Sequence, residues 1–185
     1  MRIAPLVVDD TAALQQAAAL LVVAFSEHWP LAWPDMPAAW EEVYECLAEE
    51  NICLAALDEA GSLLGWIGAR PAHGVTGWEL HPLVVDPARQ GEGIGRALVA
   101  ALEAEVQARG GVTLFLGSDD EDHMTSLSGV DLYPDVAAHI GSIRNLKRHP
   151  FEFYQKLGYT VVGVIPDANG LGKPDILLAR RIGLR

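Results

Sequence analysis

Apolar and polar positions recur along this chain in two periods, and each switch between them marks the end of an element. Ile3 to Val8 (IAPLVV) is a short apolar run that predicts a strand. Asp9, Asp10 and Thr11 then offer N-caps for a helix running to about Phe25. Residues 26–37 (SEHWPLAWPDMP) contain Pro30, Pro34 and Pro37 and predict a loop. Met36 to Glu50 has helical spacing with an acidic outer face. ICLAAL (52–57) and GSLLGWIGARP (61–71) predict the next two strands, and TGWELHPLVVD (76–86) a fourth with Pro82 inside it. A long helical stripe then leads to Gly110, followed by GVTLFLG (111–117), a fifth strand. Residues 118–149 are polar and acidic, with room for one short helix. PFEFYQKLG (150–158) is a short helix closed by Gly158, and YTVVGVI and PDILLARR are the last strands, joined by the turn DANGLGK. Helices and strands mix throughout with no repeat and no low-complexity stretch, which predicts an α/β (α+β) domain spanning residues 1–185.

Composition narrows the partners. The formal net charge is −12, which disfavours nucleic acid and anionic membranes and permits a cationic partner. Cys46 and Cys53 are the only cysteines. They form neither a Cys-x-x-Cys pair nor a metal-ligand spacing with histidines, so no metal is expected and both read as buried thiols in a reducing compartment. Ala17 to Phe25 is apolar but far short of the roughly 20 residues that span a bilayer. With no signal-peptide pattern, the expected location is cytoplasmic.

The chemistry concentrates where the fourth strand meets the long helix. Gly91, Gly93 and Gly95 lie at alternate positions as the helix starts, although glycine is about 1 kcal/mol worse than alanine inside a helix. The first N–H groups of a helix lack internal partners and carry partial positive charge. Bare glycines let a phosphate approach them. The dinucleotide fingerprint G-x-G-x-x-G fails, because its last position falls on Arg96 or Leu98, and Gly-Lys-Ser/Thr is absent. What remains is Gln/Arg-x-x-Gly-x-Gly/Ala, matched by Gln90, Gly93 and Gly95.

VVDPARQGEGIGRALVAALEAEVQARG and, roughly sixty residues later, EFYQKLGY resemble the two motifs of the GNAT superfamily of acetyl-CoA-dependent N-acetyltransferases. The resemblance implies a mixed, mostly antiparallel sheet of about seven strands flanked by helices, splayed between strands four and five. It implies acetyl-CoA as co-substrate, its pyrophosphate held by backbone amides of Gln90, Gly91, Glu92, Gly93, Ile94, Gly95 and Arg96. Leu83, Val84 and Val85 would pair with the pantetheine arm. Pro82 cannot donate to a ladder and marks an edge or a bulge. Acetyl transfer needs a neutral amine, hence a base. Glu79 is the first candidate, and His81, on the same face by alternation, the second. Tyr154 matches the tyrosine that protonates or hydrogen-bonds the leaving thiolate. Where the superfamily often has asparagine, seven residues earlier, this chain has Lys147.

In a GNAT fold the end of strand five faces the acceptor. Here it runs into Asp119, Asp120, Glu121 and Asp122, acids that would raise each other's pKa unless a cation were present. The second helix adds Glu41, Glu42 and Glu45, of which Glu41 is the expected contact, and the loop before it adds Trp29 and Trp33. Acids beside aromatic faces suit a polycationic amine. The pattern from WELHPLVV through HPFEFYQKLGY to PDANGLGKPDI is similar to bacterial aminoglycoside 6'-N-acetyltransferases. This implies a small cationic amine as acceptor. The alternatives are a protein or peptide amine, or a non-catalytic acetyl-CoA sensor. Residues 119–149 are a candidate acceptor lid or oligomer contact, the latter in a homodimer.

Overall fold

Two aspartates start the helices of the first half of the chain. Asp10 Oδ1 accepts the Ala13 N–H at 3.0 Å ahead of α1 (Thr11–Phe25), and Asp35 Oδ1 accepts the Ala38 N–H at 3.0 Å ahead of α2 (Met36–Cys46). Each satisfies a donor the helix cannot. α2 stops at Cys46, short of the Glu50 expected from its periodicity. Asn51 Nδ2 donates to the Glu45 carbonyl at 2.8 Å, and the Leu47 and Ala48 N–H groups close onto the Tyr44 and Glu45 carbonyls. A side chain from beyond the helix has taken an acceptor that the next turn would have used.

The computed structural model describes residues 1–183 and divides into two compact units, residues 1–114 with residues 182–183, and Phe115–Arg181. In the first, β1 (Arg2–Pro5), β2 (Ile52–Leu57), β3 (Leu63–His73) and β4 (Gly77–Val85) form an antiparallel meander with Ile3 opposite Ala56, Ala55 opposite Trp66 and Trp66 opposite Val84. Leu14, Ala17, Leu21, Val43, Cys53, Ala55, Trp66 and Val84 make one continuous core between this sheet and α1 and α2. Trp66 is its largest member. It is fully buried, and its indole donates to the Ala17 carbonyl at 3.1 Å. Every residue of β2 is buried, so both of its faces are covered. α3 (Ile94–Ala108) packs on β2 and β3 through a stripe that includes Leu98, Leu102 and Val106.

The β3–β4 register slips between Ile67–Leu83 and Ala69–Leu80, leaving His81 and Pro82 opposite the single residue Gly68. Pro82 therefore sits in a bulge, one of the two sites expected for it. Gly68 is required there. A Cβ on it would lie 2.4 Å from the His81 carbonyl oxygen and 2.6 Å from Cys46 Sγ.

The strand order is β1-β2-β3-β4-β5-β7-β6, with β5 spanning Thr113–Asp119. β4 and β5 are joined through α3, the crossover that parallel strands need. This is the seven-stranded mixed sheet expected from the sequence. In the second unit β6 (Thr160–Ile165) and β7 (Asp175–Arg181) pair antiparallel. α4 (Val136–Gly141) interrupts the long acidic stretch and α5 (Phe151–Lys156) precedes β6. Gly158 ends α5 with φ 91°, the left-handed position that closes many helices.

Candidate active site

The turn between β4 and α3 is built from local pieces. Asp86 Oδ1 accepts the Ala88 N–H at 2.9 Å and starts a single 3₁₀ turn, Pro87–Arg89. Gly91 and Gly93 both have φ 86°, and Gly93 is the N-cap of α3. Glycine adopts this left-handed conformation without strain. Gly95 lies inside the helix, so two of the three glycines serve the turn itself. Among the described residues, no side chain caps α3, and none has an atom within 4 Å of where a Cβ on Gly91 or Gly93 would project. The result is an uncapped helix start with open space beside it, which fits a pyrophosphate. Glu92 closes the turn by accepting from Arg89 Nε and Nη2, both at 2.8 Å. This contact holds the Glu92 carboxyl below its usual range and raises Arg89. Gln90, Glu92 and Arg96 are exposed, whereas the Ile94 side chain enters the core and only its backbone belongs to the turn. Leu83, Val84 and Val85 lie in register with Ile67, Trp66 and Gly65.

The candidate bases share one side of β4, as alternation required, and each has a partner. Glu79 lies opposite Arg70 on β3 and accepts its Nε–H at 2.8 Å, while Arg70 also reaches Glu45 Oε1 at 3.2 Å. These carboxylates raise the Arg70 pKa. His81 Nε2 lies 3.4 Å from Glu42 Oε2, and its ring centroid is 5.9 Å from that of Trp33. Burial alone would raise the Glu42 carboxyl. The His81 hydrogen bond and charge, then the Trp33 hydrogen bond and the Arg70 charge, outweigh it and hold Glu42 below the usual range. Trp33 packs edge-on against Phe25 at 4.5 Å, and Phe25 also contacts Trp29 at 5.6 Å. Trp29, Trp33, Glu79 and His81 thus lie in one unit.

Glu41, the expected α2 contact, is exposed, and it is Glu42 that reaches the β4 histidine. The signal was present. Ala39, Val43 and Cys46 form the buried stripe of α2, and Glu42, three residues after Ala39 and four before Cys46, borders it. Arg70 left no motif in the sequence. Only its cross-strand position reveals it.

In the second unit the acids after β5 are not a bare cluster. Asp120 is fully buried and accepts the Met124 and Thr125 N–H groups, each at 2.7 Å. It therefore cannot line an acceptor opening, and that expectation is corrected: a carboxylate satisfied by backbone donors is stable away from water. Asp119 accepts from Asn169, Glu121 pairs with Lys173 at 3.6 Å, and the Asp122 carbonyl takes Lys147 Nζ at 3.0 Å. Asp119 and Asp122 keep partial exposure. His149, buried, accepts the Phe151 N–H on Nδ1 at 3.2 Å, so its Nε2–H donates to the Asp119 carbonyl at 3.0 Å. Burial lowers its pKa against the opposing pull of Asp119 and Asp120. Tyr154 is buried on α5, which pushes its phenol well above the ordinary value and keeps the hydroxyl protonated. Among the described residues, no group of three or more His, Cys, Asp or Glu is arranged to hold a metal, and no helix is long and apolar enough to cross a membrane.

Comparison with known proteins agrees with this geometry. The model of the acetyltransferase (GNAT) family matches residues 14–127, from α1 through the glycine turn to the loop after β5. An aminoglycoside 6'-N-acetyltransferase solved in complex with coenzyme A is 46% identical, with a TM-score of 0.93 over 100% of this chain and 99% of that one. The aminoglycoside 6'-N-acetyltransferase from Enterococcus faecium is 45% identical with a TM-score of 0.88, again over 100% and 99%. Aminoglycoside 6'-acetyltransferase type Ii is 41% identical at 0.77, with the same coverage. No curated protein matches the chain. The left-handed glycine turn, the uncapped α3 and the family match lead to one conclusion: the chain belongs to the GNAT acetyltransferase family.

Proposed function

We propose that this protein transfers the acetyl group of acetyl-CoA to the 6'-amine of an aminoglycoside. The observation that carries the reading is its full-length likeness to aminoglycoside 6'-N-acetyltransferases, 46%, 45% and 41% identical. Acetyl-CoA supplies an acetyl thioester. The backbone N–H groups of Gln90 to Arg96 would donate to its pyrophosphate, for which the uncapped start of α3 supports the fit. Leu83, Val84 and Val85 would hold the pantetheine arm. Glu79 and His81 are the two groups able to take the amine's proton, and Tyr154, kept protonated by burial, would donate to the departing sulfur. Trp29 and Trp33 offer aromatic faces to an ammonium group, with Glu41, Asp119 and Asp122 as anionic contacts. A cytoplasmic location suits two free cysteines, and the net charge of −12 disfavours nucleic acid and anionic membranes as partners.

The test is release of free thiol from acetyl-CoA against a panel of aminoglycosides, polyamines and peptides. Thiol release with aminoglycosides that bear a 6'-amine is the expected result. Release with peptides alone would move the acceptor to a protein amine, and CoA binding without release would make the protein a sensor. Gly93→Asp should abolish acetyl-CoA binding in a folded protein, because a carboxylate would then occupy and repel the pyrophosphate position. Unchanged affinity by calorimetry would falsify the turn assignment.

A further inference from the structure

We propose that His81, rather than Glu79, accepts the amine's proton, and that Glu42 is the positioning residue that holds its imidazole for the task; this rests on the acetyl-transfer reading above. The two candidates differ in what protonation costs them. Glu79 is bound to Arg70 Nε at 2.8 Å, and a guanidinium never gives up its charge in a protein. Taking a proton would cancel that ion pair. His81 meets the opposite situation. Its Nε2 lies 3.4 Å from Glu42 Oε2, and an ionised carboxylate can only accept. The proton of neutral imidazole is therefore on Nε2, and Nδ1 carries the lone pair. When Nδ1 takes a proton, the imidazolium forms beside a negative charge already in place.

Glu42 is built to supply that charge. Its side chain is only 14% exposed, against 39% for His81, so it acts from below while the imidazole remains accessible. The Trp33 indole hydrogen-bonds to the same carboxylate and, with His81 and Arg70, keeps it ionised despite burial. The β4 bulge at His81–Pro82 sets the strand against Gly68 and the Cys46 end of α2, and bulges re-aim side chains. The groups that meet the His81 ring are Glu42 from α2 and Trp33, and Arg70 from β3, which acts on the Glu42 carboxylate, is itself bound to Glu79 of β4 and Glu45 of α2.

The protons balance. The acceptor ammonium gives one proton to Nδ1. The neutral amine nitrogen then forms the C–N bond as the C–S bond breaks, and the electron pair leaves on sulfur. The departing thiolate takes up the second proton, which the acylated nitrogen releases, so that CoA leaves as a thiol, while the proton on His81 passes to solvent.

The experiment is kcat against pH for the wild type and for Glu42→Gln, Glu42→Asp, His81→Gln and Glu79→Gln. A positioned base contributes about 10²–10⁴-fold, so His81→Gln should lose that factor and the ascending limb while the KM for acetyl-CoA stays constant. Glu42→Gln should lower kcat about tenfold and move the ascending limb to lower pH, because the imidazolium loses its anion. Glu42→Asp should recover part of both, and Glu79→Gln should leave the limb in place. NMR titration of the His81 ring in Glu42→Gln, with no substrate present, should move in the same direction. An ascending limb and ring midpoint unmoved in Glu42→Gln would overturn this assignment alone. So would a limb abolished by Glu79→Gln and kept by His81→Gln. Absence of acetyl transfer by the wild type to any amine would overturn the functional reading and this one with it.

Discussion

Two regions of the protein gather carboxylates, and they use them in opposite ways. Over β4, Glu42, Glu45 and Glu79 pair with a histidine and an arginine and stay partly open to solvent. After β5, Asp120 is sealed under a loop whose backbone N–H groups it accepts, and Glu121 pairs with Lys173. The first arrangement leaves charges that can respond to a proton or a cationic ligand. The second spends charge on holding a loop that has little regular structure of its own. Acidic residues in sequence therefore do not announce an acceptor site. What matters is whether their lone pairs are already committed to the backbone.

The largest test of this contrast is Asp120→Ala. It strands two buried N–H groups, so it should destabilise the protein by about 2–4 kcal/mol in urea unfolding. Glu79→Gln, which breaks a partly exposed ion pair, should change stability by no more than about 1 kcal/mol. If the two variants unfold alike, the contrast is wrong.

A second test uses acid. His149 has its pKa lowered in the fold, so below its unfolded value of about 6.5 the unfolded chain binds the extra proton. The stability His149 contributes is complete above that pH and declines as pH falls, since protonation breaks the Phe151 N–H to Nδ1 bond. Urea midpoints measured from pH 7.5 to 5 should fall for the wild type and flatten for His149→Asn. An equal slope in the two proteins would assign the acid sensitivity elsewhere.

The smallest expected effect concerns the acids that remain accessible. Asp122→Asn and Glu41→Gln should each raise the KM for a cationic acceptor a few-fold at low salt and less at high salt, because exposed charges are screened within about 8–10 Å. Glu103→Gln on α3 should leave that KM unchanged. Equal effects from all three would indicate general electrostatics rather than a localised acceptor surface.

Features that depend on neighbours in sequence were legible from the chain itself. The Asp10 cap, the need for bare backbone at Gly91 and Gly93, an edge or a bulge at Pro82 and the closing Gly158 all follow from backbone rules that act within a few residues, whereas the Asp35 cap was not read from the chain. They fix where elements begin and end, and with them the glycine turn at the start of α3. Partnerships between distant residues were not legible, because periodicity says which face a residue takes but not what it meets there. Arg70 finds Glu45 across 25 residues, and Asn169 finds Asp119 across 50. Packing also chose Glu42 over the adjacent Glu41, because a helix turns about 100° per residue and only one of the two can border the sheet. Asp120 was hidden for the same reason. A loop with no regular ladder must satisfy its N–H groups with side chains, and which acid it draws inward is settled only when the loop closes.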